Sequence, residues 1–127
     1  MIFGIGTDIV RIQRIDKNLQ RYGERFASRI LSDDEFEGFK TSARKAHFLA
    51  KRFAAKEAAA KALGTGFRDG LSLRDISVTN DELGKPVLNF SPKAQEQLKT
   101  RCIGGTHLSI SDEHDYAVAF VTLEVIL

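Results

Sequence analysis

The first thirty residues carry two different patterns of apolar and polar positions. Residues 2–10 are rich in β-branched side chains, which predicts an opening β-strand, and the glycines at positions 4 and 6 leave one face of that strand bare. Apolar residues then recur at steps of three or four, which predicts an amphipathic helix that is loosened at Gly23. The apolar stripe of this helix consists of Ile12, Ile15, Leu19, Tyr22, Phe26 and Ile30.

Two further helices are predicted before position 66. Residues 32–35 have the form of a capping box, in which a serine hydroxyl and a glutamate carboxylate satisfy free backbone donors, so a short helix to about Thr41 should follow. The stretch 44–63 is rich in alanine, lysine, glutamate and leucine, and the glycines at positions 64 and 66 are stop signals. This stretch predicts the longest helix of the chain.

Strand patterns dominate the second half of the chain. The predicted elements are strands at 76–79 and 87–90 joined by a loop of turn-forming residues, a helix from Pro92 to about Thr100, and strands at 107–111 and 116–126. The order of elements predicts an α+β fold, in which a largely antiparallel sheet packs against the long helix. No linker or repeat divides the chain, so we expect a single domain over residues 1–127.

The net charge of +2 hides two strongly basic segments. Residues 11–29 carry six basic and two acidic side chains, and residues 40–61 carry seven basic side chains and one acidic. The rest of the chain has a net charge of −8, so the two segments predict an anionic partner. A nucleic-acid-binding module is one alternative. The acidic remainder would repel a long polyanion, and the nine phenylalanines are not clustered in an RNA-binding signature, so no nucleic acid is expected.

Several other classes of protein are excluded by what the chain lacks. Its one cysteine, Cys102, cannot close an internal disulfide or build a thiolate metal cluster. The opening residues lack the basic region of a signal peptide, and the apolar run 117–121 is far shorter than the roughly 20 residues of a membrane helix. We therefore expect a cytoplasmic protein without membrane contact.

Glu57 is the single acidic residue of the second basic segment. On a helical wheel it lies one turn after Phe53, at the border of the apolar stripe. One interpretation is an i,i+4 ion pair with Lys61 on an ordinary alanine-rich helix, in a structural or interaction domain. The alternative is a metal ligand, with Arg52, Lys56 and Lys61 opposing the charge of bound phosphates.

Asp8 is the second candidate, because it stands where the opening strand gives way to a basic helix. A helix cap is the simpler role for it. The alternative pairs Asp8 with Glu57 on one magnesium ion, which typically takes one or two carboxylates and completes its shell with water and substrate phosphates. The glycines before Asp8 form neither a Rossmann fingerprint nor a Walker A motif.

Two other features admit both a binding role and a structural one. The segment Gly64-Thr65-Gly66 allows the backbone to approach a phosphate closely, and it also suits a helix C-cap. His107 opens a strand and can donate to a phosphate, or it can be an ordinary surface or core histidine.

Short motifs along the chain occur in the order of one known family. Its two signatures match residues 4–10, Gly-Ile-Gly-Thr-Asp-Ile-Val, and residues 53–61, Phe-Ala-Ala-Lys-Glu-Ala-Ala-Ala-Lys. Supporting motifs lie at 31–35, 62–66, 84–86 and 107–111. Over essentially its whole length, the chain resembles the bacterial holo-acyl-carrier-protein synthases, the small class of phosphopantetheinyl transferases.

The resemblance implies a specific reaction and a specific set of residues. The reaction moves the phosphopantetheine arm of coenzyme A to a serine of apo acyl carrier protein and releases adenosine 3′,5′-bisphosphate. Asp8 and Glu57 match the magnesium ligands, and with Lys61, which matches a phosphate-binding lysine, they are the expected catalytic residues. Val10 stands where the larger class of these transferases has a second acidic residue, so water would take that coordination position. The base for the serine is left open between Glu57 and water.

The resemblance also implies partners and an assembly. The small class forms a homotrimer with coenzyme A bound between neighbouring subunits, and its acyl carrier proteins are acidic. The residues expected to bind coenzyme A are Arg52, Lys56, Lys61, Gly64, Thr65, Gly66, Lys85, Pro86 and His107. The first basic segment places Arg14, Arg21 and Arg25 as candidates for docking the carrier protein.

Overall fold

The computed structural model describes residues 1–126; position 127, the last of the predicted domain, lies outside the described residues. Its elements are β1 (Ile2–Arg11), α1 (Ile12–Tyr22), α2 (Glu24–Ile30), α3 (Asp33–Thr41), α4 (Lys45–Leu63), a 3-10 turn (Leu73–Asp75), β2 (Ile76–Asn80), β3 (Pro86–Phe90), α5 (Pro92–Thr100), β4 (Ile103–Asp112) and β5 (Tyr116–Val125). This order confirms the α+β prediction and most of its boundaries.

The strands form two antiparallel sheets. The larger sheet has the order β1-β5-β4, so the opening strand pairs with the last one, and β2 pairs with β3 in a separate hairpin. In the larger sheet, Asp8 lies opposite Ala119, which in turn lies opposite Ile110. Side chains alternate between the two faces of a strand, so Asp8 points to one face of the sheet and its neighbours Thr7 and Ile9 to the other.

Helix α4 packs on the face of the larger sheet to which Asp8 points. It also contacts α1, α3 and β2, so its small side chains are buried on almost every side. The single apolar stripe expected from the sequence is therefore too narrow a description, because alanines fit against neighbours on any face. Two glycines of β1 make this contact close: a Cβ atom on Gly6 would lie 2.0 Å from the carbonyl oxygen of Ala58, and one on Gly4 would lie 2.1 Å from that of Ala62.

The helix predicted from residue 12 to residue 30 divides in two. Gly23 adopts a φ of +64°, which ends α1 and begins α2. The interruption turns Tyr22 outward, and it is 53% exposed instead of lying in the apolar stripe. The predicted capping box is present: the Ser32 hydroxyl accepts from the amide of Glu35, and the Glu35 carboxylate accepts from the amide of Ser32.

No helix within residues 1–126 combines the length and the apolar character that crossing a membrane requires.

Candidate active site

Asp8 is held in the interior of β1, on the row that begins with Gly4 and Gly6. Each step of two residues along β1 moves about one turn back along α4, from Ala62 to Ala58. Asp8 is the first residue of this row with a side chain, and it lies beside the turn of α4 that carries Glu57. It does not cap a helix, because α1 starts after Arg11 and has no side-chain cap.

Lys61 and Glu57 complete the group around Asp8. The Lys61 ammonium donates to Asp8 Oδ1 at 3.0 Å and to the carbonyl oxygen of Thr7 at 3.0 Å. Burial raises the pKa of Glu57, the negative charge of Asp8 raises it further, and the positive charge of Lys61 opposes both effects. Two carboxylates and an ammonium therefore share one site between β1 and α4. The ion pair of Lys61 is with Asp8, so the i,i+4 pair with Glu57 does not describe its contacts.

The donor set at this site suits a hard divalent cation. Asp8 and Glu57 offer carboxylate oxygens, the ligand type that magnesium prefers, and their mutual repulsion is relieved by a cation between them. Among residues 1–126, no group of three or more histidine, cysteine or acidic side chains is placed to hold a metal. A cation at Asp8 and Glu57 would therefore complete its shell with water and with phosphate oxygens of a substrate.

Lys56 is not part of this site, and its predicted role in binding phosphates is wrong. Its side chain is fully buried, and the ammonium donates to Glu35 Oε1 at 2.6 Å, to the Ile30 carbonyl oxygen at 2.6 Å and to the Leu73 carbonyl oxygen at 3.0 Å. Three acceptors use all three of its N–H groups. Lys56 lies about 100° around α4 from Glu57, so the two residues face different neighbours.

Arg52 lies one turn before Lys56 on α4 but differs from it, because its Nε has no hydrogen-bond partner within residues 1–126, so its role in binding phosphates stays a prediction. Its guanidinium carbon lies 3.9 Å from the centre of the Phe48 ring, and its Nε lies 3.6 Å from Glu35 Oε2. Desolvation lowers the pKa of Arg52, which the charge of Glu35 partly offsets. The side chain is 14% exposed and turned away from Asp8 and Lys61.

The glycines that follow α4 act as helix caps. Gly64 has a left-handed φ of +85° and its N–H donates to the carbonyl oxygen of Lys61. The N–H of Gly66, whose φ is +62°, donates to the carbonyl oxygen of Ala60. Both N–H groups are thus already used and do not remain for a phosphate. What this segment can still provide is a close approach of its backbone and the hydroxyl of Thr65.

The remaining candidates for coenzyme A lie apart from Asp8 within one chain. Lys85 and Pro86 are at the tip of the β2–β3 hairpin. His107 lies on β4 opposite Thr122 of β5, which is opposite Ile5 of β1. That row faces away from α4, so His107 is on the opposite face of the sheet from Asp8, where it pairs with Glu124.

The arginines proposed for docking are all at the surface. Arg14 and Arg21 lie on α1 and Arg25 on α2, and all three are exposed. Arg21 stacks on the ring of Tyr22, with its guanidinium carbon 5.2 Å from the ring centre. They therefore form an accessible basic surface.

Glu35 is the residue whose full role the sequence did not indicate. The capping pattern singled it out at the start of α3, and it does cap that helix. Its second role, as the buried partner of Lys56, joins residues 21 positions apart and leaves no pattern in the sequence.

An antiparallel sheet laid along a buried helix, with a carboxylate pair and a lysine between them, suits a diphosphate substrate that binds through a divalent cation. The family model of the 4′-phosphopantetheinyl transferase superfamily matches residues 4–121, and the chain belongs to this superfamily. It is 57% identical over 123 residues to the holo-[acyl-carrier-protein] synthase of Vibrio parahaemolyticus, covering 97% of this chain and 98% of that protein.

Two solved structures show the same fold. The crystal structure of holo-[acyl-carrier-protein] synthase from Neisseria meningitidis superposes with a TM-score of 0.94 at 46% identity, covering 98% of this chain and 99% of that one. A holo-(acyl-carrier-protein) synthase from Bacillus anthracis, solved in complex with CoA (3′,5′-ADP), gives a TM-score of 0.82 at 42% identity, with 99% of each chain covered.

Proposed function

We propose that Asp8, Glu57 and Lys61 form the active site with which this chain transfers the 4′-phosphopantetheine group of coenzyme A to a serine of apo acyl carrier protein, the holo-[acyl-carrier-protein] synthase reaction. The proposal rests on the proximity of Asp8, from the first family signature, to Glu57 and Lys61, from the second. Asp8 is 49 or more positions away from Glu57 and Lys61 in the sequence, yet the three residues form one charged group between β1 and α4.

The reaction is an in-line displacement at phosphorus. The serine oxygen of the carrier protein bonds to the phosphorus that carries the pantetheine arm, and the bond from that phosphorus to the bridging oxygen of the diphosphate breaks. Adenosine 3′,5′-bisphosphate leaves with the electron pair, and the serine proton goes to a base. The protein contributes mainly position and charge to such a reaction.

Each residue of the site has a separate task. Asp8 and Glu57 hold a magnesium ion, which when bound neutralises charge on the diphosphate. Lys61 is 53% exposed at its side chain, so its ammonium can turn from Asp8 to a phosphate oxygen. Glu57 makes no ion pair within residues 1–126, whereas Asp8 is paired with Lys61, so Glu57 is the better placed of the two carboxylates to accept the serine proton.

The metal site is tested by binding in the absence of substrate. Manganese is a spectroscopic substitute for magnesium and should bind to the native protein. The affinity for manganese should be lost in Asp8→Ala and in Glu57→Ala. Asp33→Ala, which removes an exposed carboxylate from the start of α3, is the matched control and should bind manganese normally. Equal binding by the native protein and both site variants would reject this metal site.

We propose that a second copy of the chain completes the site and that the assembly is a homotrimer. The face of the larger sheet that turns away from α4 exposes Ile5 at 58%, Ile9 at 63% and Phe120 at 44%. A contiguous apolar surface of this kind is typical of an interface between proteins. His107 lies on the same face, so association would place it in the site of a neighbouring subunit, next to the coenzyme A bound by the Lys61 side.

A cytoplasmic location remains a prediction from the sequence.

The shared site is tested by mixing inactive subunits. Asp8→Ala damages the α4 side of a site, and His107→Ala damages the side that the neighbouring subunit supplies. When the two variants are unfolded and refolded together, some sites combine an intact Asp8 with an intact His107, so activity should return. Asp8→Ala mixed with Glu57→Ala is the control, since both residues come from one chain, and it should stay inactive. No recovery in the first mixture would contradict a site shared between subunits.

The other proposed contacts follow from the same arrangement. The residues that we propose for coenzyme A are Arg52, Lys61, Gly64, Thr65, Gly66, Lys85 and Pro86, with His107 of the partner subunit. The exposed arginines Arg14, Arg21 and Arg25 are proposed to bind the acidic carrier protein.

A further inference from the structure

The buried ion pair of Lys56 and Glu35 has no part in the mechanism above, although Lys56 directly precedes Glu57. Every polar atom of this pair is used. Lys56 donates to three acceptors, and Glu35 Oε1 accepts a second hydrogen bond from the amide of Ser32 at 2.9 Å. Glu35 Oε2 accepts from the amide of Val78 at 2.9 Å.

The pair and its hydrogen-bond partners come from five separate segments. They are the end of α2, the start of α3, the middle of α4, the 3-10 turn and β2. Two of these contacts, to the Leu73 carbonyl oxygen and to the Val78 amide, bracket the start of the β2–β3 hairpin. Val78 is two residues along β2 from Asn80, and Asn80 lies opposite Pro86 at the hairpin tip. The pair therefore attaches the hairpin to α4 close to that tip.

The placement of Asp8 beside Glu57 has a different origin. It depends on the close approach of β1 to α4 at Gly4 and Gly6, which does not involve Lys56 or Glu35. The site thus has two independent supports: the glycine contact for the carboxylates and the buried ion pair for the hairpin.

Stability alone is a weak explanation for a buried ion pair. Removing two charges from water is costly, and replacing such a pair by uncharged groups of similar shape is often neutral or stabilising. The fixed geometry of three hydrogen bonds on one ammonium is what an uncharged replacement loses.

We propose that Lys56 and Glu35 are positioning residues, which hold the β2–β3 hairpin at the distance from α4 that coenzyme A requires. The inference rests on the proposed function, in which Lys85 and Pro86 at the hairpin tip contact coenzyme A. It assigns the pair to the affinity for coenzyme A and not to the chemical step, because the carboxylates and Lys61 are supported separately.

The test uses a double variant that removes both charges together. In Glu35→Gln/Lys56→Met, the amide oxygen can still accept from Val78, and the two charges of the pair are removed together. Arg52, whose Nε lies 3.6 Å from Glu35 Oε2, keeps its contact with the Phe48 ring. We expect the KM for coenzyme A to rise about tenfold, while kcat and the KM for the carrier protein stay within about twofold of the native values. Hydrogen exchange of the amides of residues 76–80 should be faster than in the native protein before coenzyme A is added.

Two further variants keep the result interpretable. Leu98→Ala truncates a buried side chain of α5 and controls for general loss of stability, so its KM for coenzyme A should not change. Glu35→Gln alone keeps the shape of the side chain but leaves the buried Lys56 ammonium without its carboxylate, so it should raise the same KM at least as much as the double variant.

Several results would overturn the assignment. They are a native KM for coenzyme A in the folded double variant, an equal rise in Leu98→Ala, an equal fall in kcat, or failure of both Glu35 variants to fold. The native enzyme is measured in the same experiment. If it transfers no phosphopantetheine, the proposed function fails, whereas a native enzyme that is active beside an unaffected double variant rejects the positioning role alone.

Discussion

A single added methyl group on Gly6 should disable the enzyme, because this glycine sets the distance between β1 and α4. In Gly6→Ala, the new Cβ would lie 2.0 Å from the carbonyl oxygen of Ala58 and 2.7 Å from the amide nitrogen of Ala62. Both are backbone atoms of a helix that is buried on almost every side, so neither can turn away. The strand must move out by about 1 Å merely to bring this contact to 3.0 Å, the shortest distance that a Cβ atom tolerates.

This movement acts on Asp8, which lies two residues further along the same face of β1. Displacing a catalytic group by about 1 Å can cost roughly 100-fold in rate, so we expect kcat/KM to fall by about that factor. Overpacking of this kind also costs roughly 1–3 kcal/mol of folding free energy. The rate is measured from the mass of the carrier protein over time, and the stability from unfolding in urea.

Gly38→Ala is the matched control for the Gly6 variant. A Cβ atom at position 38 in α3 would meet only the tip of the Phe48 ring, at 3.3 Å, and a side chain can shift. Alanine is favoured over glycine inside a helix by up to about 1 kcal/mol, so this variant should be as stable as the native protein or more so, with full activity. Native activity and native stability in Gly6→Ala would show that Gly6 does not set the distance between β1 and α4.

Three further predictions concern other parts of the molecule. Burial and the charge of Asp8 raise the pKa of Glu57, so ionised Glu57 lowers stability at neutral pH; without metal, Glu57→Gln should raise the free energy of unfolding at pH 7 by up to about 1 kcal/mol. In urea unfolding, this gain should vanish below the ordinary pKa of 4.5, because Glu57 is then protonated in both the folded and the unfolded protein. A gain that persists there would contradict the raised pKa of Glu57 as its cause. Replacing the three arginines at positions 14, 21 and 25 by glutamine should raise the KM for the carrier protein and leave the KM for coenzyme A unchanged in steady-state assays; an equal rise in both would reject the docking surface. In sedimentation experiments, Ile9→Asp should be a monomer where the native protein forms the proposed trimer, and a trimer of the variant would exclude this sheet face from the interface.

The sequence predicted the elements well where local patterns are strong. The capping box at Ser32, the proline at the start of α5 and the glycine after α4 each act over a few residues, and each is found where expected. The acidic pair was also predicted, because Asp8 and Glu57 interrupt the patterns around them and match the two signatures of the family.

The environment of Lys56 was beyond prediction because α4 is rich in alanine. A helix with small side chains on every face gives no periodic signal for which cations face solvent and which face the core. Lys56 and Lys61 belong to the same motif, yet one is fully buried and the other half exposed. What separates them is the position of Glu35, and that depends on tertiary packing.

The position of His107 shows a second limit. Alternation along β4 indicated that it shares a face with other residues of the strand, but not which face of the sheet meets α4. Pairing of β1 with β5, more than 100 residues apart, decides this, and it puts His107 on the apolar outer face. A role for His107 in coenzyme A binding therefore requires a second subunit.

The most direct test of the proposed active site is the mass of apo acyl carrier protein after incubation with the enzyme, coenzyme A and magnesium. The carrier should gain one phosphopantetheine group with the native enzyme and none with folded Asp8→Ala or Glu57→Ala. No gain with a folded native enzyme and a competent carrier would contradict the transferase activity, and a full gain with either variant would remove that residue from the active site.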